Sequence, residues 1–161
     1  MASSSWIAWR PPRNRTSWVR AVGLGLALAR PFWFLLPMPT SFSPALIIRL
    51  CYLGAAGPVL EEIWCRGLIY RLFSLGILRR RKSWRPAQAV VAVTLSAGLF
   101  AWFHSFDSDL RQLGILQYAA FVALGLGCGF CRYRYRSSMI SATVHGAYNV
   151  SLYIPVLVIT F

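Results

Sequence analysis

The sequence predicts an all-α fold: a polytopic transmembrane helical bundle of roughly five to six membrane helices, including one short or re-entrant segment. Two observations support this prediction. Hydrophobic side chains make up 57% of the 161 residues and charged side chains only 13%, whereas a soluble domain carries about 25% charge. The positive charges also lie in short clusters between long apolar runs, which is typical of the cytoplasmic loops of membrane proteins.

The formal net charge of +13 also raises the question of nucleic-acid binding. A nucleic-acid surface would gather its arginines and lysines on one face of a polar fold, and this chain instead separates them by apolar runs. We therefore expect no nucleic-acid partner. The lipid bilayer is the expected surrounding, and the sequence leaves the oligomeric state open.

The four cysteines, Cys51, Cys65, Cys128 and Cys131, lie within or beside apolar segments. A disulfide framework is instead typical of small secreted domains. The Cys128-x-x-Cys131 spacing lacks the second pair that would make a zinc site convincing. We therefore interpret all four as small apolar packing residues.

The chain is expected to begin with a basic arm, residues 1–17, and to continue as a single transmembrane domain, residues 18–161. The first membrane helix is predicted over 18–38, with a break near Arg30-Pro31. The run 21–29 could alternatively be the core of a cleaved signal peptide. A retained helix is favoured because apolar residues resume directly after Pro31.

The next apolar stretch, residues 45–57, contains Arg49 and is shorter than the ~20 residues that a membrane-crossing helix needs. It is therefore predicted to be re-entrant or oblique. Gly57-Pro58 predicts a helix break, and Pro58 suits the first turn of a following helix over about 59–78.

Three further spans are predicted at 86–106, 113–131 and 137–160, the last with a kink at Pro155. A polar turn at 107–111 joins the first two of them. The basic loops 79–85 and 132–136 are separated by two spans and therefore lie on the same side, which the positive-inside rule assigns to the cytoplasm. The chain is thus expected to be a multi-pass integral membrane protein.

A few polar side chains lie inside these apolar spans. The chain has only four acidic residues and two histidines, and two of the acidic residues and both histidines fall there. A charged group in a bilayer costs roughly 2.5–3.5 kcal/mol on insertion scales, so such groups are functional candidates by default. The candidates are Glu61, Glu62, Arg66, His104, His145 and Asn149.

These residues form pairs spaced by four, which share one face of a helix: Glu62 with Arg66, Phe100 with His104, and His145 with Asn149. Glu61 points about 100° away from Glu62, so only one glutamate can face Arg66 and the other is expected to face a cavity. Each pair also has a structural interpretation. The ion pair could hold helices together, and the histidines and Asn149 could serve simply as hydrogen-bond partners of neighbouring helices.

The three motifs Glu61-Glu62-x-x-x-Arg66, Phe100-x-x-x-His104 and His145-x-x-x-Asn149 resemble those of the CAAX-protease and bacteriocin-processing family, in the same order. That family consists of intramembrane glutamic endopeptidases, and the resemblance covers about residues 45–155. The chain is similar to its compact bacterial members, some of which process C-terminal sorting tails. The resemblance therefore implies an intramembrane-protease domain over 18–161, in a bacterial inner membrane.

The resemblance also implies roles for the six residues. Glu61 would activate water together with His104, while His145 and Asn149 would stabilise the oxyanion. Glu62 and Arg66 would fix the position of the helix that carries them, predicted over about 59–78 and called the motif helix below. The implied partner is the tail of a membrane-associated or lipidated protein, and prenylated, bacteriocin and sorting-signal tails all remain possible. No cofactor or metal is implied. A zinc site formed by Glu61, His104 and His145 is the alternative chemistry.

Two non-enzymatic interpretations stand beside the protease. The chain could be an immunity or scaffold protein of the same fold, or a small transporter that uses the charged cluster as an ion site. A degenerate fold should have lost some motif residues, and all six are present. A transporter predicts ion-dependent flux without a cleaved product.

The predicted spans place the motif residues at different depths in the membrane. Glu61 and His104 fall near the non-cytoplasmic ends of their spans, whereas His145 falls about eight residues, or roughly 12 Å, from the cytoplasmic end of its own. In a hydrocarbon core of ~30 Å these depths agree only if helices tilt or the predicted boundaries are wrong.

Overall fold

The computed structural model describes residues 9, 11–12, 14–33, 44–76, 85–106 and 114–154, and every regular element in these ranges is helical. The α-helices are α1 (Arg15–Ala29), α2 (Pro44–Cys51), α3 (Gly57–Glu62), α4 (Tyr70–Gly76), α5 (Arg85–His104), α6 (Gly114–Tyr135) and α7 (Ser138–Ser151). A 3₁₀ turn, Arg30–Phe32, follows α1. Two π-helical segments, Tyr52–Ala56 and Ile63–Ile69, join α2 to α3 and α3 to α4.

Two helices in the described part of the chain are long and apolar enough to cross a membrane, Pro86–His104 and Gly114–Tyr135. Large apolar side chains also cover the outside of the bundle. Ile48 is 72% exposed and Ile115 is 83% exposed. An apolar exterior of this kind is expected where the surrounding medium is lipid.

Helix α1 begins where Asn14 caps it, with the Asn14 side chain accepting a hydrogen bond of 3.0 Å from the backbone N–H of Thr16. The helix ends at Ala29, and the 3₁₀ turn that follows contains Pro31. The predicted break near Arg30-Pro31 is therefore confirmed. The remainder of the predicted first span, beyond Trp33, lies outside the described residues.

Helices α5 and α6 pack closely through Gly125 and Gly129, two small residues spaced by four on α6. A Cβ atom added to Gly125 would lie 3.0 Å from the Cα of Ala97, and one added to Gly129 would lie 2.8 Å from Val93 Cγ1. Only glycine permits this backbone approach. Because Ala97 faces Gly125 while Val93 faces Gly129, the helices are antiparallel, and the start of α5 lies at the same end as the end of α6.

Helix α7 lies at the centre and packs against α1 and against the segment 44–76. A Cβ on Gly25 would collide with the backbone of Val144 and Tyr148, and a Cβ on Gly146 would overlap the carbonyl oxygen of Gly54. The core is formed by small and apolar side chains from these helices and from α5 and α6: Ala21, Ala29, Cys65, Phe100, Leu124, Cys128, Cys131, Ile140, Val144 and Tyr148.

Three of the four cysteines agree with their interpretation as packing residues, and Cys51 does not. Cys65, Cys128 and Cys131 are buried, and all four cysteines are free thiols. Cys51 is the exposed one, on the outer surface of α2.

The predicted helix break at Gly57-Pro58 is wrong, because the chain is helical without interruption over 44–76. The segment accommodates Pro58 by a change of hydrogen-bond register. The N–H of Gly57 donates to the carbonyl of Tyr52, five residues back, which widens the turn. The carbonyl of Leu53 would then need the N–H of Pro58, which does not exist. The side-chain amide of Asn149 donates to that carbonyl instead, at 2.9 Å.

The second basic cluster also differs from the prediction of a loop at 132–136. Arg132 and Arg134 belong to the last turn of α6, where cations are favoured by the helix dipole. The connection to α7 is short, and Arg136 makes it with a left-handed φ of 52°. The polar turn at 107–111, the predicted kink at Pro155 and residues 79–84 of the first basic loop lie outside the described residues.

We predict that Gly146→Ala lowers the free energy of unfolding by about 1–3 kcal/mol, as overpacking does in tightly packed cores, because the added methyl group meets the Gly54 carbonyl. Thermal unfolding in detergent measures the effect. Gly98→Ala in α5 is the matched control, since no atom lies within 4 Å of a Cβ there. Equal melting temperatures for the two variants would contradict this account of the packing between α7 and the segment 44–76.

Candidate active site

The centre of the candidate site is an ion pair between Glu62 and Arg66. Arg66 Nη1 lies 2.8 Å from Glu62 Oε1, and both side chains are 0% exposed. The predicted pairing of one glutamate with Arg66 is therefore confirmed, and the partner is Glu62. Glu61, its neighbour in sequence, is directed elsewhere because successive helical residues point about 100° apart.

Arg66 also connects this pair to two other helices. Its Nη2 donates a hydrogen bond of 2.8 Å to the carbonyl of Gly125 in α6. Its guanidinium carbon lies 4.8 Å from the centre of the Phe100 ring in α5, a distance typical of a cation–π contact. One buried cation thus fixes the positions of α5 and α6 relative to the motif helix.

The second oxygen of Glu62 accepts a short hydrogen bond from the hydroxyl of Ser141 in α7. Sequence reasoning missed Ser141, because a serine in an apolar helix resembles any other small packing residue. One signal was present: Ser141, His145 and Asn149 are spaced by four and share one face of α7. Arg66 and Ser141 together leave neither oxygen of the buried carboxylate without a partner.

Glu61 faces the two histidines. Its Oε2 lies 3.3 Å from His104 Nε2 and 3.7 Å from His145 Nε2. The Glu61 side chain is 38% exposed, whereas that of His145 is 2% exposed. The structure therefore brings the motif helix, α5 and α7 to one cluster, and Glu61 is the carboxylate of that cluster that reaches the surface of the protein.

His104 is oriented by its own helix. Its Nδ1 lies 2.9 Å from the carbonyl of Phe100, and because a carbonyl only accepts, Nδ1 must carry the hydrogen. In the neutral ring, Nε2 is then the acceptor nitrogen, directed toward Glu61. The ring also packs against Phe100 and Phe121, with centroids 4.2 and 4.5 Å away. The predicted pairing of Phe100 with His104 is a real contact.

His145 lies between the two glutamates. Its Nδ1 is 3.5 Å from Glu62 Oε1 and its Nε2 is 3.7 Å from Glu61 Oε2. Both distances exceed those of ordinary hydrogen bonds, but catalytic contacts are often longer before a substrate binds. Each ring nitrogen therefore faces one carboxylate, so His145 links the buried glutamate to the accessible one.

Asn149 contacts the backbone of the segment 44–76 through the hydrogen bond to Leu53 described above. A side-chain amide carries two N–H donors, and this contact uses one of them. The structure thus gives Asn149 a positioning contact that its sequence spacing did not reveal. The oxyanion role implied by the resemblance stays a prediction.

The three motifs meet at one place despite the predicted conflict of depth, because Glu61 Oε2 lies within 3.7 Å of both His104 Nε2 and His145 Nε2. Ser137 and Ser138, at the start of α7, are 1% and 0% exposed, so protein surrounds this end of the helix.

Within the described ranges, no three histidine, cysteine, aspartate or glutamate side chains are arranged as a metal site. The Nε2 atoms of His104 and His145 approach the same oxygen of Glu61, at 3.3 and 3.7 Å. In a zinc site each of these three atoms would instead lie about 2.0–2.2 Å from the ion.

The sequence profile of one protein family, described as type II CAAX prenyl endopeptidase Rce1-like, matches residues 43–151. The matched range contains all three motifs and excludes α1. Comparison with curated proteins and with solved structures gives no match.

We predict that Ser141→Ala lowers the free energy of unfolding by roughly 1.5–3 kcal/mol, the range for hydrogen bonds to charged groups, because Glu62 loses a donor in a buried site. Ser151→Ala is the matched control on the same helix, since the Ser151 hydroxyl bonds only to the nearby Tyr148 carbonyl, at 2.8 Å. Unfolding in detergent measures both variants. Equal destabilisation would mean that the contact between Ser141 and Glu62 contributes nothing specific.

Proposed function

The chain belongs to the family of type II CAAX prenyl endopeptidases of the Rce1-like kind, and on this premise we propose that it is an intramembrane endopeptidase of the glutamic type. The substrate is a membrane-associated or lipidated protein, and the scissile peptide bond lies near its C-terminal tail. The observation that carries the proposal is the approach of two histidines from different helices to the accessible Glu61 carboxylate.

The family is membrane-embedded, and the part of the chain that the structure describes has two helices that could cross a bilayer. We extend this to a multi-pass protein of about five to six membrane helices, with residues 18–161 as one domain, in a bacterial inner membrane. The end shared by the start of α5 and the end of α6 is assigned to the cytoplasm, because arginines lie there.

The first step is the activation of water. Glu61 Oε2 takes a proton from a water molecule whose other hydrogen is accepted by His104 Nε2. The hydrogen bond from His104 Nδ1 to the Phe100 carbonyl holds the ring in the tautomer that this requires. The resulting hydroxide attacks the scissile carbonyl carbon, and the negative charge passes from Glu61 to the carbonyl oxygen. A general base of this kind contributes typically 10²–10⁴-fold to the rate.

The second step stabilises that oxygen and completes the cleavage. His145 Nε2, which faces Glu61, donates a hydrogen bond to the oxyanion as the charge moves there. The second amide hydrogen of Asn149 is the other donor. The loss of one oxyanion donor typically costs about 10²–10³ in rate. Collapse of the intermediate breaks the carbon–nitrogen bond, and the protonated Glu61 gives its proton to the leaving amine.

Glu62 and Arg66 take no part in these proton transfers. Their role is to hold the motif helix against α5, α6 and α7 through contacts with Phe100, Gly125 and Ser141. Because Glu62 also lies 3.5 Å from His145 Nδ1, it orients the ring that faces the oxyanion. Second carboxylates commonly orient a catalytic imidazole in this way.

We predict that Glu61→Gln lowers the cleavage rate by roughly 10²–10⁴-fold, because the amide nearly preserves the shape of the side chain but cannot accept the proton. Cleavage of a lipidated C-terminal peptide by the purified protein, followed by mass spectrometry, measures the effect. The melting temperature should change little, since Glu61 is partly exposed.

Asp109→Asn is the matched control, because it makes the same chemical change outside the three motifs, and it should keep the wild-type rate. Wild-type cleavage by Glu61→Gln would refute Glu61 as the base. Ion-dependent flux with no cleaved product from the wild-type protein would favour the transporter instead.

We predict that exhaustive chelation leaves the cleavage rate unchanged, because every proton transfer in the proposed mechanism is made by a side chain of the chain itself. The measurement compares the rate before and after treatment with a strong chelator, with the metal content checked by elemental analysis. A loss of activity that stoichiometric zinc restores would establish the zinc mechanism on Glu61, His104 and His145.

A further inference from the structure

A second concave site lies at the C-terminal end of α6, away from Glu61 and the two histidines. It is a cavity of about 360 Å³ at the end of α6, on the side where α7 begins, and it is lined by Tyr70, Arg132, Tyr133, Arg134 and Arg136. None of these residues belongs to the three motifs. The proposed hydrolysis therefore leaves this cavity without a role.

Arg132 is the deepest charged group of the cavity. Its guanidinium carbon lies 5.5 Å from the centre of the Tyr70 ring, so the planar group packs against an aromatic face. Its Nε is buried and has no hydrogen-bond partner in the described part of the protein. A buried donor without a partner is unfavourable, and an acceptor atom of a ligand in the cavity would satisfy it.

Three of the five residues that line the cavity are arginines, and like charges at short range repel each other. In the ranges that the structure describes, the only carboxylates are those of Glu61 and Glu62, and both belong to the active-site cluster. No described carboxylate therefore balances these arginines, and a bound anion would.

The position of the cavity favours a lipid as the source of that anion. Helix α6 is a candidate membrane span, and Arg132 and Arg134 lie in its last turn, where a membrane-crossing helix would meet the head groups. Tyr133 is 47% exposed there, as expected for an aromatic residue at a membrane interface.

The surface next to the cavity is suited to acyl chains. Leu126 and Phe130 are 39% and 56% exposed, and with Arg134 they are spaced by four along one face of α6. A molecule bound at Arg134 through an anionic group would thus find an apolar stripe directly along the helix. Inorganic phosphate would make no use of that stripe.

We propose that this cavity binds the head-group phosphate of an anionic phospholipid of the leaflet on that side. Arginine suits the site because its planar fork donates two parallel hydrogen bonds to a phosphate. Basic pockets on the cytoplasmic side of membrane proteins bind anionic head groups by the same chemistry. The interaction is independent of the proposed cleavage reaction.

The test is native mass spectrometry of the purified full-length protein in detergent, with phosphatidylglycerol, phosphatidylcholine or inorganic phosphate added. The wild-type protein should retain phosphatidylglycerol in preference to phosphatidylcholine. Arg134→Gln should weaken retention about fivefold, and the double variant with Arg132→Gln further, since each arginine near an anionic surface contributes about that factor. Arg49→Gln, an exposed arginine of α2, is the matched control and should behave as wild type.

Arg134 is exposed, so its variant should fold even if the double variant does not. Three results would overturn the proposal. Arg134→Gln could retain phosphatidylglycerol as strongly as Arg49→Gln does. Phosphatidylcholine could be retained equally well by the wild-type protein. Inorganic phosphate could displace the lipid at similar concentration, which would identify a site for free phosphate.

Discussion

The buried ion pair of Glu62 and Arg66 is the constraint on which the rest of the site depends. Both side chains are fully buried, and the removal of one partner from such a pair typically costs about 3–5 kcal/mol, because the remaining charge is left uncompensated. Such a pair needs further hydrogen bonds, and here Arg66 donates to the Gly125 carbonyl while Glu62 accepts from Ser141. These contacts determine how the motif helix sits against α6 and α7.

The position of Glu61 follows from that constraint. Once Glu62 faces the core, the helical geometry turns its neighbour toward His104 and His145, where the carboxylate keeps 38% of its side-chain surface exposed. Two adjacent and chemically identical residues thereby acquire different environments. One neutralises an arginine inside the bundle, and the other keeps part of its side chain exposed. A separation of this kind between two carboxylates is how enzymes commonly divide structural and proton-transfer roles.

Spacing along a single helix could be predicted from the sequence, and contacts between helices mostly could not. Residues four apart share a face, so the pairing of Glu62 with Arg66 and the contact of Phe100 with His104 were predictable. The hydrogen bond from Asn149 to Leu53 was not, because it depends on a π-helical change of backbone register next to Pro58. The approach of His145 to Glu61 also required the structure, since it depends on how α7 packs against the segment 44–76.

The central claim is that the Glu61 side chain is partly exposed whereas that of Glu62 is fully buried. Treatment of the folded protein with a water-soluble carbodiimide and an amine, followed by peptide mapping, tests this claim most directly, because the reagent modifies only carboxyl groups that water can reach. The account predicts modification of Glu61, with loss of cleavage, and an unmodified Glu62. Equal modification of the two glutamates, or modification of Glu62 alone, would contradict it.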